Sequence, residues 1–296
     1  MRPSLSEQPD LRRDPAASDL FIGAMPTQMY VQHFKEMPSG AARPTPVIMI
    51  PGGAHSGVCW TTTPDGRPGW AFDFAAAGRP VYVVDWPGVG RSGTWPESST
   101  VGPGLIVDSI VALLEKTGPA VLVGHSIGGT LAFKVAEKLP DLVKAVVGVS
   151  IGAVELPLPG AKAAPLDMPN RPLPREVIAE RFANAPQFPS EAMDAYVSSF
   201  QPMSPRMLNA ISTVTDELKL DRNRLGVWTS IPVLFLDSEE DRTALPDRTA
   251  VTAQLIGAKQ IMLGRDWGLP GHGHMSILER GSDAIAARVL DWLKDK

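Results

Sequence analysis

Residues 120–128 read Ala-Val-Leu-Val-Gly-His-Ser-Ile-Gly, and this segment is the strongest indication of the fold in the chain. An apolar run suited to a buried strand enters the G-x-S-x-G motif Gly124-His125-Ser126-Ile127-Gly128, and a helical pattern follows it. A serine hydroxyl is a poor nucleophile at neutral pH, so it must project from a tight turn that a base and a carbonyl can both reach. The flanking glycines remove the Cβ atoms that would clash in such a turn. This context favours a nucleophilic Ser126 over the ordinary alternative, a helix N-cap.

Composition and charge exclude several classes of protein. The chain has 296 residues, of which 44% are hydrophobic and 20% charged, as in ordinary globular proteins. Its 28 basic and 32 acidic residues are scattered and give a formal net charge of −4, without the basic run that follows a phosphate backbone. No stretch approaches the ~20 apolar residues that cross a bilayer, and the N-terminus lacks the apolar core of a secretory signal. We expect a cytoplasmic protein that binds neither nucleic acid nor membrane.

Cysteine usage bounds the redox and metal chemistry. The single cysteine, Cys59, excludes an intrachain disulfide and argues against a thiolate metal cluster. We interpret Cys59 as a small buried hydrophobic residue, and we expect neither a metal nor another cofactor.

Apolar runs alternate with helical patterns along most of the chain. Residues 1–20 are polar and are interpreted as a flexible arm. Strand character follows in seven segments: 29–34, 46–50, 80–85, 120–123, 143–149, 231–236 and 259–263. Helical patterns occur at 70–77, 106–116, 129–138 and 283–293. This alternation predicts a doubly wound α/β core, with a mostly parallel sheet covered by helices on both faces.

The alternation stops in the middle of the chain, which predicts an inserted helical cap. The cap covers residues 156–225, and residues 21–155 and 226–296 form the core on either side of it. Prolines crowd the first part of the cap, and helical patterns follow with Ser190 and Ser204 as candidate N-caps.

One face of a predicted cap helix carries apolar side chains. Met193, Tyr196, Val197 and Phe200 share this face by their spacing. The stripe has two interpretations. It packs the cap onto the core, or part of it, with Tyr196 and Phe200, lines a substrate pocket.

A serine nucleophile needs a general base, and histidine has a pKa near neutrality. Of the five histidines, His33 lies in an early strand and His125 is the variable residue of the turn, so both are interpreted as structural. His55 follows a glycine-rich loop, where it either contacts substrate or is a solvated loop residue. His272 and His274 lie between the last strand and the final helix, where the chain order nucleophile, acid, histidine places the base. We choose His274, which an apolar residue follows.

The base in turn needs a carboxylate that accepts its other N–H and stabilises the imidazolium. Asp241 lies in an acidic loop directly after the strand 231–236, which is the usual place for this acid. Its neighbours Asp237, Glu239 and Glu240 are interpreted as solvated surface charge. Asp241 is therefore the predicted acid.

The oxyanion that forms in acyl transfer needs preorganised backbone donors. Ile127, the residue after the nucleophile, supplies one N–H. The loop Pro51-Gly52-Gly53-Ala54 follows a predicted strand and supplies another from Gly53 or Ala54, since glycine lets the backbone approach a ligand closely.

Together these residues resemble the α/β-hydrolase superfamily over nearly the whole chain outside the cap. More narrowly, the chain resembles bacterial esterase 713-like hydrolases in five stretches: Pro-Gly-Gly at 51–53, Thr-Thr-Pro-Asp-Gly-Arg-Pro-Gly-Trp at 62–70, Val-Tyr-Val-Val-Asp at 81–85, Gly-Arg-Ser at 90–92 and Gly-His-Met at 273–275. The resemblance implies an α/β-hydrolase fold and a serine esterase-like enzyme that is often a homodimer.

The same resemblance implies a second place for the acid. In those relatives a glutamate ends the strand after the nucleophile helix, and Ser150 occupies the matching position here. Glu155 lies five residues further on. It stays as the alternative to Asp241.

The sequence predicts a cofactor-independent serine hydrolase that cleaves a small carboxylic ester or a lactone through an acyl-enzyme. Ser126 attacks, His274 moves the proton and Asp241 orients the imidazole. Two alternatives remain open: a cofactor-independent lyase or oxygenase on the same scaffold, and a non-catalytic ligand-binding protein. The intact Ser126 and His274 argue against the second.

Overall fold

A computed structural model describes residues 17–35, 44–152, 155–168 and 173–296. Within these ranges eight strands form one sheet in the order β1-β2-β4-β3-β5-β6-β7-β8. β2 pairs antiparallel with β1 and β4, and the remaining neighbours are parallel. The strands are β1 Ala17–Ile22, β2 Met29–Phe34, β3 Val47–Ile50, β4 Val81–Asp85, β5 Ala120–His125, β6 Val143–Val149, β7 Val233–Asp237 and β8 Lys259–Met262. The predicted mostly parallel sheet is confirmed.

Helices lie between the strands, and none in the described ranges is long and apolar enough to cross a membrane. The longest is α3, with 15 residues. The α-helices are α1 Val58–Thr61, α2 Trp70–Ala76, α3 Pro103–Thr117, α4 Ile127–Lys138, α5 Arg175–Phe182, α6 Met193–Ser199, α7 Pro205–Ile211, α8 Pro246–Ile256, α9 Leu263–Trp267 and α10 Ser282–Trp292.

The sheet separates two apolar cores, as predicted for helices on both faces. Successive side chains of a strand point to opposite faces, so Ile48 and Leu122 pack in one core while Met49 and Val123 pack in the other. α3 and α4 contribute to the first core, and α2 and α10 to the second. Each fully buried side chain of this size contributes roughly 1.5–3 kcal/mol, which favours this register over a slip by one residue.

The predicted arm over residues 1–20 extends too far. Its last residues belong to β1, which lies at the sheet edge and pairs only with β2. Side chains along β1 alternate between exposed and half-buried as far as the buried Ile22, so the strand lacks the apolar run by which buried strands are recognised. Residues 1–16 lie outside the described residues.

α5, α6 and α7 lie between β6 and β7, where the insertion was expected. Tyr196 packs into one core and Met207 into the other, so the segment continues both apolar layers. Ser204 is the N-cap of α7 and accepts a hydrogen bond from the Met207 N–H at 3.0 Å. The N-cap predicted at Ser190 is wrong, because Ser190 begins a short 3-10 helix and makes no side-chain cap bond.

Candidate active site

The G-x-S-x-G motif forms a tight turn between β5 and α4. Ser126 has φ 52° and ψ −126°, a conformation that costs a residue with a side chain about 1–3 kcal/mol, and its N–H donates to the Val149 oxygen at 2.8 Å. A Cβ at Gly124 would lie 2.4 Å from the Gly128 backbone, and one at Gly128 would lie 2.4 Å from the Ile50 oxygen. Only glycine fits on either side of the serine.

Ser126, His274 and Asp241 form one hydrogen-bonded chain. His274 Nε2 lies 3.2 Å from Ser126 Oγ, and His274 Nδ1 lies 2.9 Å from Asp241 Oδ2. The other carboxylate oxygen, Oδ1, accepts the N–H groups of Thr243 at 2.7 Å and Ala244 at 2.8 Å. The carboxylate is thereby fixed with Oδ2 facing the imidazole. A proton on Nδ1 then leaves Nε2 free to accept the serine proton.

Glu155, the alternative acid, lies elsewhere in the hydrogen-bond network. Its Oε1 accepts the Leu220 N–H, and its Oε2 accepts from Arg222 Nη2, both at 2.7 Å. Ser150, at the position that the resemblance assigns to the acid, donates its N–H to the Leu236 oxygen at 2.7 Å. The structure therefore brings Asp241, and not Glu155, to His274.

His272 has a separate partner. Its Nδ1 lies 3.0 Å from Glu279 Oε2, which also accepts the Gly273 N–H at 2.9 Å. The His272 oxygen accepts the Glu240 N–H at 3.3 Å. His272 thus joins the loop that carries His274 to the loop that carries Asp241.

His125 supports the backbone of His274. Its Nε2 lies 2.8 Å from the His274 oxygen, and a carbonyl only accepts, so Nε2 carries the proton. Burial, with the nearby His274 and His55, holds the His125 pKa well below its usual value. The imidazole is therefore neutral and acts as a fixed hydrogen-bond donor, consistent with the structural role expected for it.

The 62–70 segment is one of the stretches that resemble esterase 713-like hydrolases. It contacts the residues that follow His274. Arg67 Nη2 donates to the Leu278 oxygen at 2.8 Å, and Trp70 Nε1 donates to the Ser282 oxygen at 3.0 Å. Asp65 pairs with Arg67 Nε at 2.9 Å and fixes the guanidinium. These residues brace the loop that bears His274, a role that no local pattern indicates.

The loop after β3 lies against the serine. A Cβ at Gly52 would lie 3.1 Å from the Ser126 Cβ. The His55 N–H donates to the Gly52 oxygen at 3.3 Å and closes a turn in which Ala54 has φ 60°. Ile127 is the first residue of α4, so its N–H has no partner within the helix. Amides of the turn and of the helix start therefore flank Ser126.

An aromatic cluster of His55, Phe182, Tyr196 and Phe200 lies beside His274 and the loop after β3. Tyr196 and Phe200 are 1% and 7% exposed, which is consistent with the packing interpretation of the cap stripe. His55 is 3% exposed, so its interpretation as a solvated loop residue is wrong. Phe182 joins them, with its ring centre 5.6 Å from that of Phe200 and 5.4 Å from that of His274. No sequence pattern indicates a role for Phe182, because it lies outside the stripe. Contact of His55, Tyr196 and Phe200 with substrate stays a prediction.

A cavity of about 350 Å³ lies beside this cluster. Its lining includes His55, Cys59, Thr63, Ala195 and Leu278. Cys59 is 6% exposed, and burial raises the pKa of its thiol, so the residue is a small apolar group as expected. Among the described residues, no three His, Cys, Asp or Glu side chains are grouped to hold a metal ion.

Two lipases and an esterase are among the known proteins that are similar to this chain. The pattern of the Alpha/beta hydrolase family matches residues 47–288. The probable secreted lipase phiG of a fungal species is 25% identical, over 90% of this chain and 85% of the lipase. Lipase LipV of Mycobacterium tuberculosis is 27% identical, over 90% of this chain and 82% of the lipase. The structure of a novel bacterial esterase has the same fold, with a TM-score of 0.62, 18% identity and 95% of each chain covered. The chain belongs to the alpha/beta hydrolase family.

Proposed function

We propose that the protein is a serine hydrolase that cleaves a small carboxylic ester or lactone through an acyl-enzyme, without a cofactor. The observation that carries the proposal is the hydrogen-bonded chain from Asp241 through His274 to Ser126, which ends on a serine in a strained turn. Relatives named lipases, over most of both chains, support an ester as the substrate. The arrangement supplies a nucleophile, a base and an orienting acid in one site.

Acylation begins when Ser126 Oγ attacks the ester carbonyl and His274 Nε2 takes the hydroxyl proton. Negative charge moves to the carbonyl oxygen, where the Ile127 N–H and an amide of the Gly53-Ala54 segment stabilise it. The imidazolium then donates its proton to the leaving alkoxide, which departs as an alcohol. Asp241 stabilises the imidazolium at both steps.

Deacylation repeats the sequence with water. His274 removes a proton from the water, whose oxygen attacks the acyl carbon, and the second oxyanion uses the same amides. The bond to Ser126 Oγ breaks, and the serine recovers its proton from the imidazolium. The products are a carboxylic acid, ionised at neutral pH, and a free enzyme.

The packing of the cap supports a small substrate. The loop of residues 51–55, which carries the candidate oxyanion amides, is called the oxyanion loop. Met203 approaches it so closely that a Cβ at Gly53 would lie 2.9 Å from the Met203 sulfur. Phe182 packs against the His274 ring. These two side chains lie close to the candidate site, and their proximity supports a short acyl group in the substrate.

A screen of p-nitrophenyl esters of increasing acyl length tests the proposal, with Ser126→Ala as the paired variant. We expect the wild type to hydrolyse the short esters best and Ser126→Ala to lose nearly all turnover. Turnover that survives in Ser126→Ala contradicts a serine mechanism. Turnover of a carbonyl substrate without hydrolysis products would instead favour the lyase or oxygenase alternative, and saturable binding without turnover would favour the ligand-binding one.

Three further expectations stay predictions: the cytoplasmic location, the homodimer and the likeness to esterase 713-like hydrolases. One relative is named a probable secreted lipase, which is a property of that protein. Size-exclusion chromatography with light scattering measures the oligomeric state directly.

A further inference from the structure

The oxyanion loop contains a turn whose central peptide has two possible orientations. The turn runs from Gly52 to His55 and is closed by the His55 N–H to the Gly52 oxygen. Ala54 has a positive φ of 60°, whereas Gly53, before it, does not, which is the signature of a type II turn. A type II turn usually has glycine at this third position, because other residues are strained there. A local interaction must therefore hold the Gly53-Ala54 peptide in this orientation.

The His55 side chain supplies that interaction. Its Nδ1 lies 2.7 Å from the Gly53 oxygen. Burial lowers the His55 pKa to about 4, so the ring is neutral near pH 7 and carries one proton. A carbonyl only accepts, so that proton is on Nδ1. In a trans peptide the N–H points opposite to the C=O, so the Ala54 N–H is directed away from the His55 ring.

Two hydrogen bonds connect this turn to α6 and the residues that follow it. The Tyr196 hydroxyl lies 3.1 Å from His55 Nε2, which must accept because Nδ1 holds the proton. The Gln201 N–H donates to the Ala54 oxygen at 2.8 Å. Both carbonyls of the central residues are thus held, directly or through His55, by residues 196–201.

We propose that His55 is a positioning residue that holds the Gly53-Ala54 peptide with its N–H directed at the oxyanion, and that Tyr196 holds His55 in that pose. Stabilisation of the oxyanion therefore depends on docking of α6. The inference rests on the proposed hydrolase function and assigns His55 and Tyr196 a role through the loop rather than through substrate contact.

Three variants separate this role from simple packing. His55→Leu keeps an apolar side chain of similar size but removes the donor to the Gly53 oxygen. His55→Asn places an amide N–H near the position of Nδ1 and restores that donor. Tyr196→Phe removes only the hydroxyl that holds His55. Tyr82→Phe, on β4 and outside the site, is the matched control for loss of a tyrosine hydroxyl.

The readouts are kcat, KM and the affinity for two inhibitors: a trifluoromethyl ketone, which forms an oxyanion on Ser126, and the matching alcohol, which forms none. We expect His55→Leu to lower kcat and ketone affinity by about 10²-fold each, as for loss of one oxyanion donor, with KM and alcohol affinity unchanged. His55→Asn recovers most of the loss. Tyr196→Phe shows the same selective pattern at about tenfold, and Tyr82→Phe shows none.

Equal losses of ketone and alcohol affinity, or a His55→Asn variant as impaired as His55→Leu, overturn the inference. If His55→Leu fails to fold, His55→Asn and Tyr196→Phe decide: ketone affinity unchanged from wild type in Tyr196→Phe overturns the inference, and selective loss there supports it. A wild type that hydrolyses no ester defeats the proposed function first and this inference with it. An active wild type with insensitive variants defeats the inference alone.

Discussion

At the scale of single residues, steric exclusion determines which residues form the serine turn. Gly124 and Gly128 each face backbone atoms at distances that no Cβ tolerates. The pairing of Asp241 with His274 was predictable from chain order. The carboxylate's fixed orientation was not, because two amides of its own loop set it.

Replacing Gly128 with alanine tests the steric account. The new Cβ would lie 2.4 Å from the Ile50 and Pro51 oxygens, so backbone must move. We expect a loss of about 1–3 kcal/mol in unfolding free energy and a large loss of turnover, measured by urea denaturation and ester hydrolysis. Gly104→Ala is the control and should be neutral or stabilising, because apart from the neighbouring backbone of its own helix no atom lies within 4 Å of the new Cβ. A Gly128→Ala variant equal to wild type contradicts the account.

The acid is tested by comparing Asp241→Asn with Glu155→Gln. The first change removes the charge that orients His274, and in the serine protease used as the general example this costs about 10⁴-fold in kcat. The second weakens a contact to Arg222 and leaves the triad intact. We expect kcat to fall by orders of magnitude only for Asp241→Asn. The reverse ranking would move the acid to Glu155.

His272→Ala distinguishes the two histidines of the base loop. The change leaves the buried Glu279 carboxylate with one partner fewer, so unfolding free energy should fall by about 1–3 kcal/mol. Turnover below the unfolding transition should stay within a few-fold of wild type, whereas His274→Ala should lose nearly all of it. Combining His274→Ala with Ser126→Ala should cost little more, because the pair acts as a unit. An inactive His272→Ala beside an active His274→Ala would reverse the assignment.

At the scale of elements, the buried parallel strands were predictable because both of their faces need apolar residues. The edge strand β1 was not predictable, since one of its backbone edges has no neighbouring strand in the sheet and several of its side chains are exposed. The cap helices are short and depend on tertiary contacts, so the sequence indicated their presence without their packing. The hydrogen bonds of Tyr196 and Gln201 to the oxyanion loop join residues far apart in the chain, which no local pattern reveals.

Capping of α7 gives a matched pair of serine variants. Ser204 is 5% exposed, accepts from the Met207 N–H and donates to the Val101 oxygen, whereas Ser190 makes no side-chain cap bond. We expect Ser204→Ala to lower the unfolding free energy by about 1–2 kcal/mol and Ser190→Ala to change it by less than about 0.5 kcal/mol. Chemical denaturation measures both. Equal losses would show that the cap bond does not stabilise α7.

At the scale of the whole molecule, Asp237 links stability to pH. It was expected to be solvated surface charge, but it is 1% exposed. Burial raises its pKa from 3.8 to about 6, against hydrogen bonds from Gln260 and Thr249 and with a smaller contribution from Asp241. The folded state therefore holds the proton more tightly than the unfolded state. This stabilising contribution is present below about pH 4 and is lost as pH rises through 6; two pKa units correspond to at most about 3 kcal/mol.

Asp237→Asn should remove this part of the pH dependence. The unfolding free energy of the variant minus that of the wild type should rise by up to about 3 kcal/mol as the pH increases from 4 to 7. Asp73, whose pKa burial also raises to about 6, and His55, whose pKa burial lowers to about 4, titrate in both proteins and cancel in the difference. Asp194→Asn, at an exposed site, is the control. A difference that does not change with pH would contradict the buried charge.

The proposed mechanism requires that Ser126 becomes acylated during turnover. The most direct measurement is rapid acid quenching during hydrolysis of p-nitrophenyl acetate, followed by mass spectrometry of the peptide that contains Ser126. We expect an added acetyl group on Ser126, absent from the Ser126→Ala protein, that forms and decays at rates compatible with kcat. Steady turnover with no acyl group on Ser126, or with an acyl group on another residue, would contradict it.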